Sequence, residues 1–244
     1  MIRRAKIEDK SILEEIHGGE PPWENFEVYL KAIRDSGGDI FLYGDKGEIE
    51  LLPFNGKAHI HVLWVQEGYR GKGIGSKLLA FAEKWAKKRG LKGLSVIPED
   101  GNAMRFYMKN GFGFKEWQVK VIKDVEGCDV KVESHYDNPP KFPNVSAVYT
   151  SGLFLWNLHK KAPRVRFRDF TILLIDEGSC VNAVIYGERL NRRIVKVAEC
   201  LAGKIGKKLF LQVWMKDWKI LEEEGFKKSV KLSGWRRFSL EPLF

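Results

Sequence analysis

The segment that most restricts the fold of this chain is the strand-like run Ala58-His59-Ile60-His61-Val62-Leu63-Trp64-Val65. It leads into Arg70-Gly71-Lys72-Gly73-Ile74-Gly75 and then into a helix from about Ser76 to Arg89. Leu78, Leu79, Phe81, Ala82, Trp85 and Ala86 recur at helical spacing, and Lys87-Lys88-Arg89 with Gly90 suits the negative C-terminal end. A strand, a glycine-rich turn and a helix in this order form a phosphate-binding arrangement. Small residues let the backbone approach an anion, while the first helical N–H groups and the positive end of the helix dipole point at it. Arg70 and Lys72 add cationic side chains.

Spacing separates the families that use such a loop. A P-loop requires G-x-x-x-x-G-K-[ST], but Gly68 is followed by Gly73 and then Ile74, so the lysine is missing. A dinucleotide fingerprint requires G-x-G-x-x-G, whereas Gly71 and Gly73 are followed by Ser76, and that fingerprint normally sits in the first strand-to-helix turn. Here three or four strands come earlier. Ile2 to Ile7 reads as a strand, Glu8-Asp9 opens a helix that Gly18-Gly19 stops, and Trp23 to Arg34 reads as a second helix. Ile40 to Tyr43 and Glu48 to Phe54 then read as a hairpin across Gly44-Asp45-Lys46-Gly47. After the main helix come a short strand at Leu94 to Ile97, a helix over Ala103 to Lys109 that Asn102 can cap, and strands at Phe112 to Ile122 and Cys128 to Glu133. Alternating strands and helices with hairpin-like parts predict an α/β architecture, a mixed sheet flanked by helices.

Arg70, Gly73 and Gly75 fill the pattern of Arg or Gln, two residues, Gly, one residue, then Gly or Ala. The whole stretch from Val65 to Leu79 resembles the acyl-CoA motif of the GCN5-related N-acetyltransferase (GNAT) superfamily. Asn102-Ala103-Met104-Arg105-Phe106-Tyr107 and Asn110-Gly111-Phe112 resemble that family's second landmark. The resemblance implies that acetyl-CoA lies where the strand ending at Val65 diverges from the strand Leu94 to Ile97. Leu63, Trp64 and Val65 are then backbone contacts, Arg70, Gly71, Lys72, Gly73, Ile74, Gly75 and Ser76 hold the diphosphate, and Asn102 meets the pantetheine arm. By the same resemblance Tyr107 also touches the cofactor and supplies the proton that the departing thiolate needs; a tyrosine of ordinary pKa near ~10 is protonated at neutral pH. His59 and His61, two apart on one strand, share a face by the two-residue period and are candidates for the base that takes the amine's proton, with Glu50 and Glu67 as further candidates. No third ligand accompanies the histidines, so no metal is expected.

Three prolines between Asn138 and Asn144 predict a linker there, dividing the chain into a catalytic domain over 1–137, a linker over 138–144 and a second domain over 145–244. The second part echoes the first. Ala82-Glu83 and Gly90 recur as Ala198-Glu199 and Gly206, and Gly111-Phe112 as Gly225-Phe226. Arg168 to Ile175 and Val181 to Gly187 read as a hairpin, with a helix at about Arg192 to Ile205. This predicts a smaller, truncated GNAT-like copy. It lacks the glycine spacing at Tyr186 to Asn191 and carries Leu221 where Tyr107 would fall, so it is not expected to bind acetyl-CoA.

Charge is uneven. Residues 1–144 carry 23 Lys or Arg against 22 Asp or Glu, and residues 145–244 carry 19 against 10. A nucleic acid or other anionic partner for the basic half is therefore a possibility, with Arg164, Arg166 and Arg168 alternating along one strand, although a solvated basic face is the commoner meaning of such a bias. The expected activity is transfer of an acetyl group to an amine on a small molecule or protein; the alternative is a non-catalytic acetyl-CoA sensor. The acceptor has no readable code, and monomer and homodimer stay equally open. Cys128, Cys180 and Cys200 show no paired spacing and are expected to be small core residues. No run reaches the ~18 apolar residues of a membrane span and no leader is evident, so a cytoplasmic place is expected. Three glutamines among many Lys and Glu suggest a thermophilic source.

Overall fold

The computed structural model describes residues 1–19, 21, 23–128, 151–187, 189–228 and 236–242. The chain divides into two compact units, Met1–Lys115 with Ser239–Phe244, and Glu116–Phe238. The proline-rich segment 138–144, expected as the linker, and most of the strand expected over Cys128 to Glu133 lie outside the described residues.

In the first unit the order is β1 (Ile2–Arg4), α1 (Lys10–Ile16), α2 (Phe26–Asp35), β2 (Asp39–Tyr43), β3 (Gly47–Phe54), β4 (Lys57–Val65), α3 (Ile74–Lys88), β5 (Leu94–Val96) and α4 (Gly101–Lys109). Strands β1 to β4 pair antiparallel in sequence order and β4 pairs parallel with β5. Leu240, near the C-terminus, pairs antiparallel with Val96 on the other side of β5. The hairpin expected from Gly44 to Gly47 is present as β2 and β3. Helix α2 starts one turn later than its apolar pattern suggests because Asn25 caps it, accepting from the Val28 N–H at 3.1 Å. Its buried face, with Phe26, Tyr29, Leu30 and Ile33, belongs to the core, as does the α3 stripe of Ile74, Leu78, Leu79, Ala82, Trp85 and Ala86. Helix α4 begins earlier than expected, and its cap is Asp100, which accepts from the Ala103 N–H at 2.7 Å, rather than Asn102.

A break in register between β3 and β4 shapes the site. Leu51 faces Ile60 while Glu50 faces Val62, which leaves His61 as an extra residue in β4. A bulge of this kind adds one unpaired residue, bends its strand and interrupts the regular alternation of side chains there. His61 therefore falls outside the register with β3, yet it stays close enough to His59 to feel its charge. Below the bulge His59 is opposite Leu52; above it Val62 and Trp64 are opposite Glu50 and Glu48.

The second unit contains β6 (Phe112–Lys123, from Glu116 onward), α5 (Gly152–Leu158), β7 (Arg164–Arg166), β8 (Phe170–Asp176), β9 (Cys180–Gly187), α6 (Arg192–Lys204), β10 (Lys208–Trp214), α7 (Trp218–Glu223) and β11 (Lys227–Lys228). The last strand, β12 (Arg236–Pro242), falls across the division between the units. Here β7, β8 and β9 pair antiparallel and β9 pairs parallel with β10, α6 lying between them in sequence. The run β2, β3, β4, α3, β5 has the same senses of pairing, so the internal repeat read from the residues is a repeat of topology. Its marker residues agree in conformation. Ala82 and Ala198 are both fully buried, Gly90 and Gly206 have φ of 68° and 72°, and Gly111 and Gly225 have φ of 84° and 80°. Each of these glycines ends its helix in the left-handed region that side chains avoid.

The core of this unit is apolar and continuous, with Val119, Val121, Phe170, Ile172, Ile185, Val195, Leu201, Leu209 and Leu211 among its members. Cys128 and Cys200 form a disulfide between the segment after β6 and α6, with Cα atoms 5.1 Å apart. This corrects the expectation of three core thiols; at a separation of 72 residues no local spacing announces the pair. Cys180 is free and buried. Several basic side chains of the unit are paired within it. Lys123 and Lys196 meet Glu199, Arg192 meets Glu223 and Arg193 meets Asp169. Arg164, expected on an exposed face, is buried over the Trp156 ring and donates to the carbonyls of Trp156 and His159 at 2.9 and 2.8 Å. Among the described residues no helix is long and apolar enough to cross a membrane.

Candidate functional site

Pairing between β4 and β5 covers only Ala58 to Ile60 against Leu94 to Val96. Beyond Ile60 the β4 residues Leu63, Trp64 and Val65 remain paired with β3 on their other edge. A cavity of about 690 Å³ opens where β4 and β5 part. It is lined by Leu63, Trp64, Val65, Arg70, Gly71, Gly73, Ile74, Gly75, Ser76, Asn102 and Tyr107, together with His61. Lys72, His59, Glu50 and Glu67, of the residues singled out from sequence, do not line it.

The loop earns its glycines in two ways. Gly71 and Gly73 have φ of 75° and 77°, and a Cβ on either would stand in open space, so conformation is what requires glycine there. Gly73 is the N-cap of α3 and no side chain caps the helix, which leaves its first N–H groups available to an anion. Gly75 is different: a Cβ there would meet Phe106 Cζ at 2.9 Å. Phe106, not picked out by the sequence, is therefore the residue that couples α4 to the phosphate loop. Arg70 donates from Nε to the Val65 carbonyl at 3.0 Å and lies over the Trp64 ring at 5.4 Å. Lys72 turns back onto its own loop, donating to the Gly68 carbonyl at 3.0 Å with its ammonium 5.0 Å from the Tyr69 ring centre. Ser76 bonds Asn110 at 3.0 Å, and the Asn102 side chain accepts from Arg105 at 2.5 Å.

Tyr107 is buried, with its ring edge-on to Phe106 and Phe112 at 5.2 and 5.3 Å. Burial pushes its phenol well above the ordinary tyrosine range, so the ~10 taken from the sequence is too low and the proton is held more firmly. His61 is pushed down to about 3 by burial and then by the neighbouring His59, and so stays neutral. His59 is buried beneath the sheet surface with its Nδ1 3.2 Å from the Ser95 hydroxyl. Glu67 is exposed, whereas Glu50 is fully buried. Among the described residues no group of three or more His, Cys, Asp or Glu is placed to hold a metal ion.

In the second unit the loop between β9 and α6 has a different arrangement. The Asn191 side chain accepts from the Ile194 N–H at 3.1 Å and caps α6 from within the chain. The Tyr186 ring is buried and its hydroxyl donates to the Gly152 carbonyl at 2.7 Å. Leu221, at the position matching Tyr107, is fully buried in α7.

A splayed pair of parallel strands, a glycine loop and an uncapped helix start make the first unit an acyl-CoA-type transferase fold. Residues 13–112 match the profile of the acetyltransferase (GNAT) family. It is 34% identical over 94 residues to the spermidine N(1)-acetyltransferase of Thermoplasma acidophilum, an alignment covering 38% of this chain and 53% of that protein. Streptothricin acetyltransferase A of Bacillus subtilis is 33% identical over 97 residues, 37% of this chain and 56% of the relative. The matched segments span 27% to 56% of the length of the curated relatives. Over 99% of its length the chain shares its fold with a GCN5-related N-acetyltransferase from Kribbella flavida, at a TM-score of 0.61, 10% identity and 70% coverage of that chain.

Proposed function

We propose that the chain is an acetyl-CoA-dependent N-acetyltransferase whose catalytic centre lies in the first unit, with direct attack of an amine on the thioester. The observation that carries this reading is the cavity between β4 and β5, which ends on the uncapped N-terminus of α3. Arg70, the amides from Gly71 to Ser76 and the helix dipole supply positive potential at that end, where a diphosphate fits. Leu63, Trp64 and Val65 offer a strand edge to an extended amide-bearing arm, with Asn102 on the opposite wall. Transfer forms a C–N bond, breaks the C–S bond and releases one proton from the attacking nitrogen to solvent, from which the Tyr107 phenol is in turn restored. The bulged backbone around His61 stabilises the oxyanion through its N–H groups, and Tyr107 returns a proton to the leaving sulfur. Neutral His61 is a weak base, so turnover should show no limb from it between pH 5 and 8.

Broad screening of primary amines with acetyl-CoA, reading released thiol, tests the proposal. Turnover on any acceptor supports it, while acetyl-CoA binding without turnover on any acceptor would favour a sensor. Arg70→Ala is expected to weaken acetyl-CoA binding by roughly 10- to 100-fold, since a charge-assisted hydrogen bond is worth about 1.5 to 3 kcal/mol. Calorimetric titration giving the wild-type affinity would remove Arg70 from the phosphate site.

A further inference from the structure

We propose that Asn110 competes with the cofactor's diphosphate for the hydroxyl proton of Ser76, so that Asn110 holds acetyl-CoA affinity below what the loop alone would give. The inference rests on the acetyltransferase reading above and concerns the regulation of the same site.

Ser76 is the third residue of α3, behind the N-cap Gly73. The first bond within the helix runs from the Lys77 N–H to the Gly73 carbonyl at 3.1 Å, so the Ser76 amide belongs to the group left open at the helix start. An anion that takes this amide is also within reach of the hydroxyl on the same residue. That hydroxyl is already engaged: Ser76 Oγ lies 3.0 Å from Oδ1 of Asn110, the residue that ends α4, and both residues line the cavity. The direction of the bond is fixed by its neighbour. Asn110 Nδ2 donates to the Phe106 carbonyl at 2.8 Å, where an amide oxygen would face another oxygen. Oδ1 is therefore the atom on the Ser76 side, and since it can only accept, the serine supplies the proton. Phe106 also keeps the two helices in contact one residue from Ser76, because its ring Cζ would stand 2.9 Å from a Cβ on Gly75.

A serine hydroxyl has one proton to give, and here it points at Asn110 instead of at the phosphate end of the cavity. Relative strengths decide which acceptor wins. A hydrogen bond to an ionised oxygen is roughly twice as strong as one between neutral groups, so a diphosphate takes the proton from the amide oxygen. The gain is smaller by the neutral bond given up, a cost that the open backbone amides do not carry. Removing the acceptor at position 110 removes that cost. The variant then binds more tightly than wild type, the reverse of what truncation does to an ordinary contact residue. CoA and acetyl-CoA carry the same diphosphate, so the competition lowers both affinities by one factor, and the spent CoA is held less tightly after transfer.

Calorimetric titration of the full chain with acetyl-CoA and with CoA, in wild type, Asn110→Ala, Ser76→Ala and the double variant, tests the competition. Asn110→Ala is expected to bind both ligands about 2- to 10-fold more tightly than wild type, the net worth of one neutral hydrogen bond. The Asn110 backbone N–H also bonds the Phe106 carbonyl, at 3.2 Å, so loss of the side chain leaves that carbonyl paired. In the Ser76→Ala background the same substitution should change nothing, because no proton is left to contest. Affinity unchanged or lowered in Asn110→Ala would overturn the inference, as would a gain that persists without the Ser76 hydroxyl or that appears for acetyl-CoA alone. Asn110→Leu, similar in size and without an acceptor, is read in its place if Asn110→Ala does not fold. The wild-type titration separates the two levels: acetyl-CoA binding without a gain in the variant sinks the competition only, whereas absence of cofactor binding sinks the transferase reading beneath it.

Discussion

Tyr107→Phe is expected to reduce turnover by roughly 10²- to 10⁴-fold while acetyl-CoA affinity stays near that of wild type. The substitution keeps the ring between Phe106 and Phe112 and removes only the hydroxyl. Burial raises the phenol, which at first sight makes it a poor acid for a thiolate whose ordinary pKa is near ~8.5. The leaving sulfur develops its charge in the same enclosed cavity, however, and desolvation raises the basicity of a thiolate as it does that of a phenolate. The two groups therefore remain matched. Because the phenol is held so high, Tyr107 should add no falling limb to the wild-type pH–rate profile up to pH 10. Steady-state thiol release and calorimetry check the two quantities separately. Turnover unchanged in the variant would reduce Tyr107 to packing, and collapse of acetyl-CoA affinity would make it a wall of the cavity instead of an acid.

The second large effect concerns the disulfide. Cys200→Ser is expected to lower the stability of the second unit by about 4 kcal/mol, the chain-entropy value for a closed loop of this length. The bridge joins residues 72 apart, so its loss releases a long loop in the unfolded state, while the buried sulfur of Cys200 is replaced by a hydroxyl of similar size. Urea unfolding of wild type with and without reductant, beside the variant, measures it. Reductant and substitution should shift the midpoint alike; a midpoint unmoved by either would mean that the bridge adds nothing to stability. Cys180 lies buried in β9 and is not expected to rescue the pairing.

The sequence was informative where information is local. Gly71, Gly73 and Gly75, the stripe of α3 and the hairpin turn at Gly44 each depend on residues a few positions apart, and glycine spacing with helical periodicity is enough to place them. The repeat was visible for the same reason, since Gly90 and Gly206 each close a helix by the same left-handed turn. What stayed hidden depends on register or on distant partners. The bulge at His61 is a property of β3 against β4, and no pattern within β4 alone reveals it. Glu50 was named only as a further candidate base, and the burial of both Glu48 and Glu50 was not foreseen. Their partners, His17 for Glu48 and Tyr29 for Glu50, come from another part of the chain. Phe106 was quoted only as part of a motif, and its role depends on a Gly75 contact that spans 31 positions.

The two helices that follow the parallel-paired strands differ in how their first turn is completed. Helix α6 carries its own acceptor in Asn191, so its first turn needs none from solution. Helix α3 has no such side-chain cap, which leaves its first N–H groups open to an acceptor from solution. The first unit alone should therefore behave as a ligand-linked fold: its melting temperature should climb with the logarithm of acetyl-CoA concentration once the site is saturated, while the transition of the second unit stays in place. A shift confined to the first unit would show that one topology, used twice in the chain, answers to the cofactor supply in one copy only.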